Sequence, residues 1–278
     1  MRGHFMNAAI TVIKEQIQHF YLVRRLSLFE MKSNNKNNYL GMAWEVLNPT
    51  IQILIYWFVF GTLRNRAPVN VGGKEVPFIA FLMIGFIVWT FFYQSTIQGS
   101  KSIYTRLAIL SKMNFPISVI PHYVIFANFY IHIALLLLAI IIINGMGFYV
   151  NIYYIQLIYF IFALFCLLFS VSLTTSTIST IIRDFHMLLN SVLRMLLYFT
   201  PVLWPLSTIG TNQIMVLIIK LNPLNYIVEG YRAAIFGTGW YFIEHWKYTL
   251  YFWTLVLILY LIGSKIHVKF RAQLIDYL

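Results

Sequence analysis

Long apolar runs alternate with short polar segments along most of the chain. The apolar runs occupy residues 50–63, 78–98, 117–143, 153–182, 186–200 and 246–266. In hydrocarbon the backbone N–H and C=O groups must bond to one another, so an apolar run of about 20 residues crosses a bilayer as a helix. The pattern therefore predicts an all-α polytopic membrane protein with six transmembrane helices. The first run is short, and Asn48–Pro49 before it is typical of a helix start, so residues before Pro49 are expected to add membrane depth.

Two segments depart from this pattern. In residues 8–32 apolar side chains recur at helical spacing between charged ones, which predicts an N-terminal amphipathic helix in the membrane interface. Residues 207–245 contain only short apolar stretches between Pro and Gly residues, which predicts re-entrant helices between spans five and six. The chain therefore divides into a cytoplasmic or interfacial segment, residues 1–38, and a transmembrane domain, residues 39–278.

The composition agrees with a membrane protein. Of the 278 residues, 60% are hydrophobic and 10% are charged, whereas a soluble domain carries about 25% charged residues. The net charge of +12 could suit nucleic acid, but fourteen of the 20 Lys and Arg residues fall near the two termini, in residues 99–116 and in residues 183–194. Six spans put these segments on one side, and the positive-inside rule makes that side the cytoplasm. The charge is therefore a topology signal with both termini cytoplasmic, and nucleic-acid binding has no support.

The motifs of several enzyme classes are absent from the sequence. It contains no G-x-x-x-x-G-K-[ST], no H-E-x-x-H and no G-x-S-x-G, which excludes a P-loop ATPase, that type of zinc protease and a nucleophile elbow. The only aspartates, Asp184 and Asp276, do not lie within a span, which excludes a membrane aspartyl protease. The single cysteine, Cys166, allows no intrachain disulfide. We predict no catalytic residue, cofactor or metal ligand in this chain.

Four blocks of sequence carry a resemblance. They are "YLGMAWEVLNPTIQILIYWFVFG" (39–61), "GSKSIYTRLAILSKMNFPISVIP" (99–121), "RDFHMLLNSVLRMLLYFTPVLWP" (183–205) and "NPLNYIVEGYRAAIFG" (222–237). Together and in this order they resemble the ABC-2-type exporter permeases. Within that family "HFYLVRRL" (19–26), "RAAIFGTGWYFIEHWK" (232–247) and the ending "KFRAQLIDYL" are similar to the wall teichoic acid translocation permeases of Gram-positive bacteria.

The resemblance implies that a separate ATPase subunit, which binds ATP and Mg, drives transport. Two copies of the chain would assemble with two ATPase subunits, in contact with membrane lipids. The contacts with the ATPase are expected at Ile103, Arg106, Lys112, Arg183 and Asp184. Taken alone, the Arg183–Asp184 pair could equally anchor a turn between two helices.

The N-terminal amphipathic helix would act as an interfacial gate helix on the same resemblance. Its candidate residues are Ile17, Tyr21, Arg24 and Arg25. Simple anchoring of the chain to the membrane is the alternative for this helix.

The resemblance also implies a translocation path between two permeases, which we expect along spans one and five. Aromatic rings can pack on sugar faces, and a cation inside a span is costly unless it has a partner or an anionic substrate group. Trp204 and the other aromatic residues could instead belong to the aromatic belt, and Arg194 could snorkel to the interface. Glu229 and Arg232, three residues apart, are expected to pair as structural support. The candidate path residues are Tyr56, Trp57, Phe58, Arg194, Tyr198, Phe199 and Trp204.

The expected function is therefore the permease subunit of an ATP-driven exporter, which moves lipid-linked wall teichoic acid across the cytoplasmic membrane. The alternatives are export of another lipid-linked polysaccharide, such as capsule or O-antigen, or of a small amphipathic drug. A channel or scaffold without an ATPase also stays open. A membrane glycosyltransferase would need an acidic metal-binding loop that the sequence lacks.

Overall fold

The computed structural model describes residues 2–33, 39–63, 67–106, 116–209 and 213–276. Its N-terminal segment forms two helices, α1 (Arg2–Gln18) and α2 (Phe20–Ser33), where the sequence predicted one. His19 separates them, although its N–H donates to the Glu15 carbonyl at 3.1 Å and its carbonyl accepts from Val23 at 2.9 Å. The helix is therefore interrupted without losing its hydrogen bonds at this point.

The next helix, α3, spans Ala43–Tyr56 and continues as a π-helix over Trp57–Thr62. The prediction that a helix starts at Asn48–Pro49 is wrong, since Pro49 lies inside α3. Glu45 lies in the first turn of α3, where its negative charge complements the helix dipole. Six residues before Pro49 are therefore helical, and their contribution to membrane depth stays a prediction.

A short antiparallel hairpin follows, with β1 over Val69–Val71 and β2 over Lys74–Val76. Gly72 and Gly73 form its two-residue turn with φ of 56° and 87°, which is the left-handed geometry that a tight hairpin turn requires. The Lys74 ammonium donates to the Phe236 carbonyl at 2.8 Å. The hairpin therefore caps the end of a later helix.

Three long helices make the centre of the fold. They are α4 (Phe78–Lys101), α5 (Val119–Gly145) and α6 (Ile155–Ile181), the last preceded by a 3-10 turn. Helix α4 packs between α5 and α6 and is buried along most of its length. It therefore forms the core on which the other helices assemble.

The described residues after α6 contain five α-helices of very different length. A 16-residue helix, α7, comes first, and two short helices, α8 and α9, lie between it and the C-terminal pair. Short helices thus occupy the segment 207–245, and their re-entry into the membrane stays a prediction. Helix α9 begins with Pro223 after an Asn cap and ends at Gly237, whose φ is 66°. The bounds are α7 Asp184–Phe199, α8 Gln213–Leu221, α9 Pro223–Phe236, α10 Tyr241–Glu244 and α11 Trp246–Asp276.

Four segments of the described chain are long and apolar enough to cross a membrane. They comprise α4, α5, residues 152–181 and residues 246–271, and they correspond to predicted spans two, three, four and six. Helix α7 has 16 residues, about 24 Å at 1.5 Å per residue, which is less than the roughly 30 Å of a hydrocarbon core. Spans one and five therefore stay predictions.

Arg232 ties α9 to the rest of the fold. Its fully buried guanidinium pairs with Glu229 at 2.8 Å, which confirms the predicted ion pair. It also donates to the Pro201 carbonyl at 2.7 Å and to the Val202 and Phe81 carbonyls at 3.3 Å. The central carbon of the guanidinium, Arg232 Cζ, lies 3.4 Å from the centroid of the Phe81 ring, which is a close cation–π contact. One side chain thus joins α9, α4 and the turn that follows α7.

Gly85 on α4 lies next to the Arg232 guanidinium, and this position has no room for a side chain. A Cβ there would lie 2.6 Å from the Arg232 Nη2 atom. The glycine therefore creates the space in which the guanidinium sits.

Candidate functional site

A groove of about 340 Å³ lies where α3, α4 and α7 meet. Helix α3 contributes Gln52 and Tyr56, which are four residues apart and so share one helix face. Helix α7 contributes Arg194, Leu197 and Tyr198. The face of α4 that completes the groove carries Phe86, Trp89, Thr90, Tyr93 and Gln94.

A hydrogen bond fixes the two sides of the groove relative to each other. The Tyr93 hydroxyl on α4 donates to Asn190 Oδ1 on α7 at 2.8 Å. Arg194 follows Asn190 by four residues and therefore lies on the same face of α7. The Tyr93–Asn190 bond therefore fixes the register between α4 and α7 one helical turn away from Arg194.

Arg194 is exposed, and its side chain forms no hydrogen bond or ion pair with any residue that the structure describes. It lies ten residues after Asp184, about 15 Å along α7 at 1.5 Å per residue. A guanidinium always carries its charge and presents several N–H donors that match phosphate or carboxylate groups. The groove thus offers a cation beside aromatic and amide side chains.

Three of the seven predicted path residues meet in this groove: Tyr56, Arg194 and Tyr198. The other four do not line it. Trp57 and Phe58 lie on the π-helix with exposed side chains, and Phe199 is 64% exposed. The Trp204 indole N–H instead donates to the Tyr198 carbonyl at 3.0 Å.

Sequence reasoning missed the polar side chains that α3 and α4 bring to the groove. These are Gln52, Thr90, Tyr93 and Gln94. Thr90 and Gln94 are four residues apart, as Gln52 and Tyr56 are. A search for polar pairs at helical spacing inside the apolar runs could have found both.

The predicted cytoplasmic turns lie together at one end of the molecule. The Ser100 hydroxyl and the His186 Nδ1 atom are hydrogen bonded at 2.7 Å, and the Tyr104 ring packs edge-on to His186 at 6.4 Å. Burial raises the pKa of Tyr104, and the nearby charge of Arg183 opposes that shift. The end of α4 and the start of α7 therefore form one surface.

The five predicted coupling residues differ in exposure. Arg183 and Asp184 are exposed, whereas Ile103 is completely buried. Arg106 is partly buried and forms an ion pair with Glu30 of α2. Lys112 lies outside the described residues.

The N-terminal helices contact the chain before and after residues 107–115, the range that includes Lys112. Before it, Arg106 pairs with Glu30. After it, the Ser118 hydroxyl donates to Glu15 Oε2, and the Gln16 amide donates to the Ser118 carbonyl at 2.9 Å. Glu15 Oε1 also accepts from Arg271 of α11 at 2.5 Å. We call the four residues Glu15, Glu30, Arg106 and Ser118 the clasp.

The proposed gate-helix residues lie on the outer side of α1 and α2. Ile17 and Tyr21 are 71% and 76% exposed, and Arg24 and Arg25 are also exposed. Val12 and Val23 occupy the opposite, buried side of the same helices. This arrangement is that of an amphipathic helix pair, with one face packed on the bundle and the other free for lipid or solvent.

The described residues contain no group of three His, Cys, Asp or Glu side chains that could hold a metal ion. The groove itself offers a cation, amides, hydroxyls and aromatic rings. These groups bind and orient a ligand through hydrogen bonds, charge and ring contacts. The arrangement therefore fits recognition of a ligand that carries hydroxyl, anionic or ring groups.

Comparison with known proteins gives two findings. The sequence profile described as "ABC-2 type transporter" matches residues 21–236. The chain is also 28% identical over 230 residues to the "O-antigen export system permease protein RfbA" of Myxococcus xanthus, covering 82% of this chain and 85% of that protein. Two proteins of the same name from Klebsiella pneumoniae are 24% and 23% identical over 267 residues, which is 90% of this chain and 92% of theirs. The matched residues include every side chain that lines the groove.

Proposed function

The chain belongs to the ABC-2 type transporter family, and we propose that it is the membrane permease of an ATP-driven exporter of a lipid-linked polysaccharide. The single observation that carries the proposal is the placement of the groove. Its helices α4 and α7 run from the groove to the surface that holds Ser100 and Asp184. A subunit that pushes on this surface would move the walls of the groove directly.

The energy source is proposed to be a separate ATPase subunit that binds ATP and Mg. The sequence contains no P-loop of its own. Arg183 and Asp184 are exposed at the tip between α6 and α7, where they are free to contact another protein. Two copies of the permease with two ATPase subunits would then place one groove from each copy along a shared path. Nucleic acid has no part in this assembly.

The proposed location is the cytoplasmic membrane, with multiple spans and both termini in the cytoplasm. The clasp, the Glu15–Arg271 ion pair and the Ser100–His186 bond each join segments that were predicted to be cytoplasmic. The cap between Lys74 and Phe236 lies in segments predicted for the opposite side. Contacts thus join segments that were predicted for the same side of the membrane. This supports the six-span topology from which the Lys and Arg residues were assigned to the two sides.

In the proposed mechanism, closure of the two ATPase subunits pushes on the Arg183–Asp184 tip. Helix α7 transmits the push as a rigid element to Arg194 and Tyr198. The Tyr93–Asn190 hydrogen bond joins α4 to α7, so α4 either moves with α7 or this bond breaks. The exposed α1–α2 face would guide the lipid-linked end of the substrate at the interface.

The proposed substrate is wall teichoic acid, a polymer of polyols joined by phosphates. An anionic chain gives Arg194 a partner at each repeat, and its lack of a partner within the described chain supports this choice. The resemblance of the sequence to Gram-positive teichoic acid permeases supports it as well.

Export of an O-antigen is the second candidate, and the names of the related proteins favour it. A neutral glycan would use the aromatic and amide side chains of the groove but would leave Arg194 without a counter-charge. The two substrates therefore differ in their expected dependence on this residue. Capsule polymers and a small amphipathic drug are further alternatives that the depletion below separates.

The test is depletion of the protein in its native host, with wall phosphate and intracellular lipid-linked polymer measured together. We expect wall phosphate to collapse while lipid-linked polymer accumulates inside the cell. Unchanged phosphate with loss of another surface glycan would refute teichoic acid and favour the second candidate. Retention of every surface polymer would refute polysaccharide export altogether.

A further inference from the structure

A second, smaller cavity of about 90 Å³ adjoins the groove. It lies between α3, α4 and α5, and it shares Gln52, Thr90 and Gln94 with the groove. Asn48, Asn128 and His132 supply further polar groups to its wall. Because three side chains border both spaces, a ligand in the groove can reach the cavity without crossing another helix.

Neutral hydrogen-bonding groups dominate this cavity, and some of them have no partner. The side chains of Asn48 and Gln52 are exposed and that of Thr90 is partly buried, and none of the three forms a hydrogen bond with any residue that the structure describes. Polar groups that line a cavity without a partner in the protein are open to the hydrogen-bonding groups of a ligand. The amides offer donors and acceptors alike, and the threonine hydroxyl offers both.

The other side of the cavity is held in place by bonds within the protein. Asn128 Nδ2 donates to Gln98 Oε1 at 3.1 Å, and Gln98 Nε2 donates to Gln94 Oε1 at 3.5 Å. The His132 Nε2 atom and the Tyr231 hydroxyl are 3.0 Å apart. These contacts orient the wall before any ligand arrives, which lowers the ordering cost of binding.

The charges of the two spaces differ. Glu45 lies at the α3 end of the cavity, seven residues or about 10 Å before Gln52. A carboxylate accepts hydrogen bonds from hydroxyl groups and repels phosphate. Arg194, by contrast, borders only the groove. The cavity is therefore suited to hydroxyl groups and the groove to an anion.

We propose that this cavity is a hydroxyl-binding subsite that takes one polyol or sugar unit of the exported polymer, next to the anion subsite at Arg194. This inference rests on the proposed function and names the chemical groups of the polymer that the permease would bind. A volume of about 90 Å³ exceeds the ~10–15 Å³ that one water molecule needs, so the cavity accommodates several hydroxyl groups. The two subsites together would recognise the alternation of phosphate and polyol.

The test uses the permease purified with its ATPase partner and reconstituted in vesicles. Two synthetic lipid-pyrophosphate-linked oligomers of equal length serve as probes, one of glycerol phosphate and one of a neutral hexose. The measured quantity is the oligomer concentration that gives half-maximal stimulation of ATP hydrolysis. The variants are Gln94→Leu, Thr90→Val and Arg194→Gln.

We expect Gln94→Leu and Thr90→Val to raise the half-maximal concentration about tenfold for both oligomers, since each loses a hydrogen bond to a hydroxyl group. Arg194→Gln should raise it more for the glycerol phosphate oligomer, because both probes carry the pyrophosphate but only this one carries a phosphate at each repeat. Thr254→Val is the matched control, because Thr254 is an exposed residue of α11 that bonds to its own helix at Leu250. It should leave both concentrations unchanged.

Three outcomes would count against these ideas in different ways. If both oligomers stimulate the wild type and the cavity variants respond as the wild type does, the subsite is wrong and the proposed function stands. If neither oligomer stimulates the wild type, the proposed function fails and the subsite with it. If Gln94→Leu and Thr90→Val instead dissociate the permease dimer, the polar wall serves contact between copies and the subsite is again overturned.

Discussion

Replacing Arg232 with Met tests how much a fully buried guanidinium stabilises the fold. The change keeps most of the aliphatic volume but removes the guanidinium. It leaves three carbonyl groups and the Glu229 carboxylate without their donor. Removal of one partner of a buried ion pair costs about 3–5 kcal/mol. The Glu229 side chain is 24% exposed and reaches some solvent, so we expect the lower half of that range, about 3–4 kcal/mol.

The assay is unfolding of the purified permease in detergent, followed by both heat and denaturant. Lys220→Met is the matched control, because Lys220 is an exposed cation of α8 and a surface change of this kind costs within about 0.5 kcal/mol. An Arg232→Met protein as stable as the wild type would refute the reasoning. It would show that the guanidinium is not the group that holds α9 to α4.

Three further predictions concern the coupling surface and helix packing. Arg106→Glu should weaken export and co-purification with the ATPase because it opposes Glu30; the double exchange Arg106→Glu with Glu30→Arg should restore both, and failure of the exchange would count against the ion pair. Gly230→Ala should lower stability by about 1–3 kcal/mol, because its Cβ would lie 2.2 Å from ring carbons on α6; Gly145→Ala, which meets no atom within 4 Å, is the control in the same thermal unfolding assay. Asp184→Ala should lower stability by no more than about 1 kcal/mol, since the side chain is exposed and only its charge in the first turn of α7 is lost, but reduce ATPase co-purification, and normal co-purification would remove this residue from the proposed contact.

The long helices could be predicted from the sequence because hydrophobicity alone decides them. A run of about 20 apolar residues has few alternatives in a bilayer, and α4, α5, α6 and α11 follow that rule. The start of α3 could not be predicted in this way. Pro49 usually marks a first turn, but here Thr50 donates to the Val46 carbonyl at 2.7 Å inside a helix that began earlier.

The candidate site was only partly predictable for a different reason. Tyr56, Arg194 and Tyr198 could be chosen by residue type and depth, and they lie together in the groove. Phe199 has the same type and depth as Tyr198 but points elsewhere, since adjacent residues of a helix face different directions. Helix rotation is set by contacts such as Tyr93–Asn190, which join residues about a hundred positions apart and leave no local pattern.

The clasp has a consequence for the order in which the molecule is built. Glu15 bonds to Ser118, 103 residues later, and to Arg271, 256 residues later. Synthesis proceeds from the N-terminus, so the partner on α11 emerges from the ribosome only after every helix that lines the groove. Helix α1 therefore cannot reach its final position while the chain is still growing. Docking of α1 would report that the last span is in place, and an incomplete permease would be left with its coupling segment unsecured on one side.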